Sequence, residues 1–461
     1  FRGNLSQEAE IYLASDANWQ TETIQRWTIF QPSNPVYVAA IKPVTAEDVS
    51  AIVKIAAQRN ISYLATGGGH GLPISLGQVD DGISIDLSNF KTVDMDTNSE
   101  TVTVGGGALF SDVIPPVLNA GYEIVTGACS CVGMTGATVG GGVARLQGLH
   151  GLIADTVVSY KLVTAAGDIV TASDSQNADL FWAMRGAGQN FAIVLETTYK
   201  IFKATNGGKA LNVDLIFPAS ANATHWKLIK KLSIDMPAEL SMFTGIQYSD
   251  QYGGLSLLFN AVYYGPESTG RRLLAPIIAN NPLVTEINYI NAIDVIPTSL
   301  FGRFNDPMCK KSNHVSTYTV GLKQIDIPTV NTLFHDMADF WGKYPQTRGS
   351  TIYYETLPVQ AVKAVPSGSN SYPSSHREIE THVLMTYNYN DASIDAAVSD
   401  FADASRQKLV KTSGFPELEL YTTYAHGDEG AQAWYRDSLP RLQALKKKYD
   451  PENRFRFFNP I

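Results

Sequence analysis

Apolar positions between residues 46 and 59 recur at helical spacing, with Glu47 and Asp48 in the first turn, and predict a helix with one buried face. The run Tyr63-Leu64-Ala65 predicts a short strand that enters a glycine loop. Ile83-Ser84-Ile85-Asp86-Leu87 and Thr101-Val102-Thr103-Val104 read as strands, the second ending at Gly105-Gly106-Gly107, and a helix follows over 110–119. The segment 157–171 reads as two strands about the turn Ala166-Gly167-Asp168, and 179–185 as a short helix. Over 191–202 the alternation places Phe191, Ile193, Leu195, Tyr199 and Ile201 on one face of a single strand. Strands and helices interleave throughout, so this part of the chain is α+β.

The rhythm changes after Thr205-Asn206-Gly207-Gly208. Longer strands are expected near 210–217, 254–264, 314–322, 350–357 and 382–389, and helices near 223–233, 328–343 and 392–411. That order fits one open antiparallel sheet covered by helices on one side. The stretch 434–449 predicts a helix with basic residues at its end, where they favour the helix dipole, stopped by Asp450-Pro451. The chain therefore divides into 1–206 (with its core at 35–205), 207–413 and 414–461. No internal repeat is evident.

Composition narrows the class. The 461 residues are 44% hydrophobic and 17% charged, as in a globular protein of two or three folding units. A net charge of -9 argues against a nucleic-acid partner, which calls for a basic stripe. No apolar stretch approaches the roughly 18–20 residues that span a bilayer. Cys129, Cys131 and Cys309 are too few for a disulfide scaffold, and a small ring between Cys129 and Cys131 is disfavoured. His376 and His382 lack zinc-site spacing, and no metal site is expected; His376-Arg377 reads as structural or substrate-facing. The dinucleotide fingerprint Gly-x-Gly-x-x-Gly and the hydrolase elbow Gly-x-Ser-x-Gly are both missing. The start at Phe1 points to a processed or trimmed chain, and the sequons at Asn4, Asn60 and Asn222, close in number to chance, are compatible with the secretory pathway or the extracellular space.

Two glycine loops carry the candidate chemistry. The first is Thr66-Gly67-Gly68-Gly69-His70-Gly71; the second is Gly127-Ala128-Cys129-Ser130-Cys131-Val132-Gly133, followed by Gly140-Gly141-Gly142. Such runs bring backbone close to a bulky ligand and turn N–H groups toward negative charge. An imidazole and a thiol beside that cradle point to a phosphate-bearing cofactor held by covalent bonds. Either cysteine can instead be a small buried hydrophobe.

These motifs resemble the berberine bridge enzyme-like FAD-linked oxidases, within the vanillyl-alcohol oxidase group. The likeness is carried by Gly68-Gly69-His70, by Cys129-Ser130-Cys131-Val132-Gly133, by Asp179-Leu180-Phe181-Trp182-Ala183-Met184-Arg185-Gly186, and by Arg441-Leu442 with Tyr449-Asp450-Pro451-Glu452-Asn453. The resemblance implies a two-domain fold, with a PCMH-type FAD-binding domain and a second domain of antiparallel sheet covered by helices. It implies FAD bonded to His70 and, by register, to Cys129, with Gly67, Gly68, Gly69, Gly71, Val132, Gly133, Gly141, Gly142 and Asn453 around the cofactor. Val132 stands where the family gates oxygen, and its small size implies access for O2. Tyr421-Thr422-Thr423-Tyr424 aligns with the family's Tyr-x-Asn-Tyr strand, which makes Tyr424 a candidate base beside Tyr421, although Thr423 replaces the asparagine. Glu355, which follows Tyr353-Tyr354 on the strand expected near 350–357, is the other candidate.

The implied reaction is hydride transfer from an alcohol, phenol or amine carbon of a small natural-product intermediate to the flavin, with O2 reduced to hydrogen peroxide. Oligosaccharide oxidation is the alternative within the family, and the aromatic residues Phe301, Phe304 and Trp341 suit either pocket. An alternative of another class, prompted by Thr423, is a flavoprotein scaffold that guides a non-redox cyclisation.

Overall fold

The computed structural model describes residues 1–461. The first of its three main sheets has four strands in the order Glu10–Leu13, Tyr37–Lys42, Gly82–Asp86 and Tyr63–Thr66. Its last two pairings are parallel, so the chain needs a crossover, which the helix Ala46–Gln58 supplies. Thr45 and Asp48 cap that helix reciprocally, each side chain accepting from the other's backbone N–H. Its buried face, Val49, Ile52, Val53 and Ala56, packs on Ile41, Ile83 and Ile85 of the sheet.

The second sheet has five antiparallel strands, Val93–Asp96, Thr101–Gly105, Ala192–Lys200, Val157–Thr164 and Ile169–Ser173. Its central strand corrects the expectation for 191–202. Register shifts at Val194/Glu196 and Thr198/Tyr199 interrupt the alternation. Ile193 and Leu195 join the core under the first sheet, whereas Phe191, Tyr199 and Ile201 join a separate core with Phe110 and Phe181. A bulge exchanges the two faces, which a strict period of two cannot express.

The third sheet is wholly antiparallel, in the order Val284–Asn291, Lys209–Pro218, Gly254–Tyr263, Leu240–Ser249, Thr351–Thr356, Thr381–Asn388 and Val315–Leu322. Helices Asn222–Ile234, Glu267–Ile278, Ile327–Lys343 and Asp395–Thr412 cover one face, closing a core around Trp226, Trp341 and Tyr354. Two of these strands were not expected. Leu240–Ser249 is central and buried over most of its length, so it shows no alternation, and Val284–Asn291 is a polar edge strand. The helix Glu267–Ile278 contains Gly270 and Pro276, which hide it from propensity.

The final stretch returns to the first half. The single helix expected over 434–449 is interrupted: helix Ala431–Tyr435, a 3-10 turn Arg436–Ser438, then helix Leu439–Tyr449. Arg436 takes a left-handed φ of 43°, its guanidinium held by Glu417 and the Leu418 carbonyl, and Pro440 starts the new helix. Buried Lys446 donates at 2.7 Å to the Asn190 and Phe455 carbonyls and to Asp450, anchoring the tail. Between the halves, Arg377 grips Asp155 with two hydrogen bonds of 2.8 and 2.9 Å. No helix is long and apolar enough to cross a membrane.

Candidate cofactor and substrate cavity

The two glycine loops meet back to back. A Cβ on Gly68 would lie 2.4 Å from the Gly133 nitrogen, so the contact requires glycine. It sets His70 beside the cysteines: the ring and the sulfurs of Cys129 and Cys131 fall within 4.8 Å of one another. They do not form a three-donor metal set, because Cys131 is committed to a disulfide with Cys309. That disulfide was not expected from the sequence. It ties the second glycine loop to a strap, residues 299–313, that crosses from the third sheet.

The strap fixes His70. The ring nitrogen Nε2 lies 3.1 Å from the Met308 carbonyl and Nδ1 lies 3.4 Å from Lys311 Nζ, with the Gly68 carbonyl 3.0 Å from Nδ1. Each ring nitrogen faces a carbonyl oxygen, so a neutral ring gives its one proton to Met308 or to Gly68 and keeps a lone pair on the other nitrogen. Burial, reinforced by the Lys311 charge, pushes the histidine pKa down to about 4, so the imidazole is neutral at ordinary pH and able to act as a nucleophile. Burial also pushes the Cys129 thiol up to about 11 and Lys311 down to about 8. Cys129 is thus held as a thiol.

From these loops a cavity of about 310 Å³ runs between the first half and the uncovered face of the third sheet. Phe455, Phe457 and Phe458 wall it at one end, and Glu355, Leu384 and Phe304 line the other. The fit to a large polar cofactor can be tested on unmet hydrogen bonds. The backbone N–H groups of Gly67, Gly68, Gly69, His70 and Gly71 donate to nothing else in the chain. Buried polar atoms of Thr135, Gln189 and Thr423, which line the cavity, have no partner either. Native interiors rarely leave so many groups unpaired. An anionic, ring-bearing group such as FAD meets them, the N–H run suiting its phosphate oxygens.

At the sheet end, Tyr353 and Glu355 point into the cavity side while Tyr354 between them enters the helix-covered core, as alternation requires. Glu355 is 7% exposed, and burial raises its pKa to about 7 against the pull of Arg145 and Tyr424. The Tyr424 hydroxyl donates to its carboxylate at 3.2 Å. Arg145 is itself buried, bonded to Ser241 and Asn260, with its guanidinium 3.9 Å over the Phe243 ring. The tyrosines lie on a 3-10 turn, Thr422–Tyr424, in place of the expected strand. Residues three apart eclipse in that geometry, and the Tyr421 and Tyr424 rings meet at 4.9 Å. Burial raises Tyr421 to about 12 and Tyr424 well above its ordinary value, so neither phenol ionises readily.

The structure brings His70, Cys129, Gly67, Gly68, Gly69, Gly71, Val132, Gly133, Glu355, Tyr421 and Tyr424 to this one cavity. It does not bring Gly141, Gly142 or Asn453. A Cβ on Gly141 would strike Tyr372, and the Gly142 N–H donates to the Tyr421 hydroxyl at 3.1 Å, so these glycines pack the turn behind the tyrosines. Asn453 is exposed with φ 52°, a turn residue that asparagine tolerates. Trp341 lies in the helix-covered core, and only Phe304 of the three suggested aromatics lines the cavity. His376 contacts Glu419 at 3.1 Å and is structural, like Arg377. Sequence reasoning missed Arg145, Lys311 and the C-terminal phenylalanines. A lone arginine after the apolar, glycine-rich run 139–144 was a legible signal; nothing marked Lys311.

Comparison with known proteins places the chain in a family. A family described as FAD binding domain matches residues 38–173, and one described as Berberine and berberine like matches residues 420–461. FAD-linked oxidoreductase azaL of Aspergillus niger is 41% identical, over 97% of this chain and 94% of its own. Among solved structures the fold is similar to BBE-like 1 of Physcomitrella patens (TM-score 0.85, 22% identity, 98% of this chain and 97% of that one). It is also similar to glucooligosaccharide oxidase of Acremonium strictum (TM-score 0.80, 21% identity, 97% and 95%). With its α+β fold, its glycine-loop cavity and relatives matched along nearly its whole length, the chain belongs to the berberine bridge enzyme-like family of FAD-linked oxidoreductases.

Proposed function

We propose that this oxidoreductase is an oxidase in which FAD is bonded to His70 and Cys129 and a small natural-product intermediate loses hydride from an alcohol, phenol or amine carbon. FAD, when bound, supplies the two-electron acceptor, and dioxygen takes those electrons on as hydrogen peroxide. Glu355, ionised, accepts the substrate's hydroxyl or phenol proton. Tyr424 donates to that carboxylate and orients it, and the charge of Arg145 steadies its ionised form. Half-buried Val132, small and lining the cavity, leaves room for oxygen to reach the cofactor.

The observation that carries this reading is the pairing of Glu355, raised to about 7, with a neutral His70 in one cavity. Most of the lining is apolar, which favours an aromatic or polyketide-like substrate over a sugar. The similar Acremonium oxidase is described with a 6-S-cysteinyl, 8α-N1-histidyl FAD, and that pattern supports the double attachment assigned here. The Cys131–Cys309 disulfide supports an oxidising compartment, the secretory pathway or beyond it.

Acid denaturation followed by peptide mapping tests the attachment, and peroxide release across phenols, alcohols and oligosaccharides tests the reaction. Flavin on both the His70 and Cys129 peptides, with peroxide from small aromatic substrates, is the expected result. Turnover without peroxide and without flavin bleaching would replace the oxidase reading by a scaffold role, and peroxide from oligosaccharides alone would reverse the substrate assignment.

A further inference from the structure

The three cysteines form a single sulfur cluster. Cys131 and Cys309 are joined, and the Cys129 sulfur lies 3.5 Å from Cys131 Sγ and 3.9 Å from Cys309 Sγ. All three sulfurs are in contact, so more than one pairing is within reach, yet only the observed one leaves Cys129 free. The strap is built to choose it. Asn305 Oδ1 accepts from the Ser130 N–H at 2.9 Å, in the residue between the two loop cysteines. Lys311 donates to the Gly68 carbonyl at 2.6 Å, and the Met308 carbonyl lies 3.1 Å from His70 Nε2. At its origin, buried Asp214 accepts from the Leu300 N–H at 2.7 Å. Cys309 is thereby delivered to Cys131 from 178 positions away.

We propose that the Cys131–Cys309 disulfide reserves Cys129 for the cofactor, keeping its thiol out of disulfide bonding so that it forms the carbon–sulfur bond to the flavin. This rests on the reading above that FAD is attached at Cys129. In that attachment one C–S bond replaces a ring C–H and the thiol S–H, and the two hydrogens with two electrons leave to dioxygen as hydrogen peroxide. The competing fate is thiol–disulfide chemistry. In the intact cluster, Cys129 thiolate attacking Cys309 Sγ forms Cys129–Cys309 and expels Cys131 thiolate, with no net oxidation. Burial that keeps Cys129 protonated slows that exchange. Where Cys131 is lost, nothing protects Cys129: it and Cys309 give two protons and two electrons to a disulfide oxidant such as oxidised glutathione and close on each other.

The experiment compares the wild-type chain, Cys131→Ser and the double variant Cys131→Ser/Cys309→Ser, each produced with FAD and exposed to oxidised glutathione before peptide mapping under non-reducing conditions. Wild type is expected to carry flavin on the His70 and Cys129 peptides. C131S is expected to keep the His70 flavin, lose the Cys129 flavin and yield a Cys129–Cys309 peptide. The double variant is expected to regain flavin on Cys129, which a merely structural disulfide would not allow. The inference is overturned if C131S retains flavin on Cys129 at the wild-type level, or if the double variant carries flavin on His70 alone. Should C131S fail to fold, the double variant decides: flavin on Cys129 supports the inference, and flavin on His70 alone overturns it. A wild-type chain without flavin on Cys129 would instead sink the double-attachment reading, and this inference with it.

Discussion

Glu355 ties the pH dependence of turnover to one carboxyl group. Burial holds it near 7, above the 4.5 of an ordinary glutamate, so it is protonated and inert as a base below that value. The value of kcat/KM should therefore rise with pH through about 7, measured with any substrate that releases peroxide. Glu355→Gln should lower kcat by roughly 10²–10⁴, the usual worth of a positioned base. Tyr424→Phe separates the two candidate bases. Its hydrogen bond favours the ionised carboxylate, so losing it should move the rising limb to higher pH while turnover survives on the alkaline side. Loss of activity at every pH would make Tyr424 the base. Little of this pair was legible in the sequence. Glu355 was marked only by its strand, and its raised pKa depends on a sheet face and on Arg145, which is 210 positions earlier in the chain by numbering.

At the scale of elements, the strap over the glycine loops is held under strain. Leu300, Phe301 and Gly302 take φ values of 57°, 60° and 66° in succession, and a left-handed residue other than glycine costs about 1–2 kcal/mol. The Asp214 carboxylate compensates by accepting the Leu300 N–H at 2.7 Å. Asp214→Ala should cost about 1–3 kcal/mol from the Leu300 N–H and the Asn212 and Asn260 amides left unpaired, read as a lower melting temperature. It should also speed proteolysis within 299–313, and unchanged cleavage there would remove the carboxylate from its holding role. Most regular elements were predictable because their period of two or 3.6 survives burial of one face. Leu240–Ser249 was not, since a strand buried on both sides carries no alternation, and the bulged strand Ala192–Lys200 was misread because one extra residue exchanges its faces. The disulfide was illegible for a different reason: a pairing across 178 residues is decided by where the strap lands.

Across the whole molecule, the cavity is a joint product of distant segments. Lys446 is the clearest fastening, a buried ammonium that joins Asn190, Asp450 and Phe455. Lys446→Met should destabilise the protein by about 3–5 kcal/mol, because it strands the Asp450 charge in the interior. Thermal unfolding measures that loss, and a melting temperature unchanged from wild type would show the tail to be fastened elsewhere. The domain rhythm and the His70 loop could be read from the sequence, but the aromatic wall of Phe455, Phe457 and Phe458 could not, since nothing in a short C-terminal run states what it will cover. That wall has a consequence for biosynthesis. A ribosome releases His70 almost four hundred residues before Phe455, so the pocket stays open on one side until that wall has been made. Closure of the pocket thereby waits on residues 455–458, and a chain cut short of them keeps a groove with one side open to water.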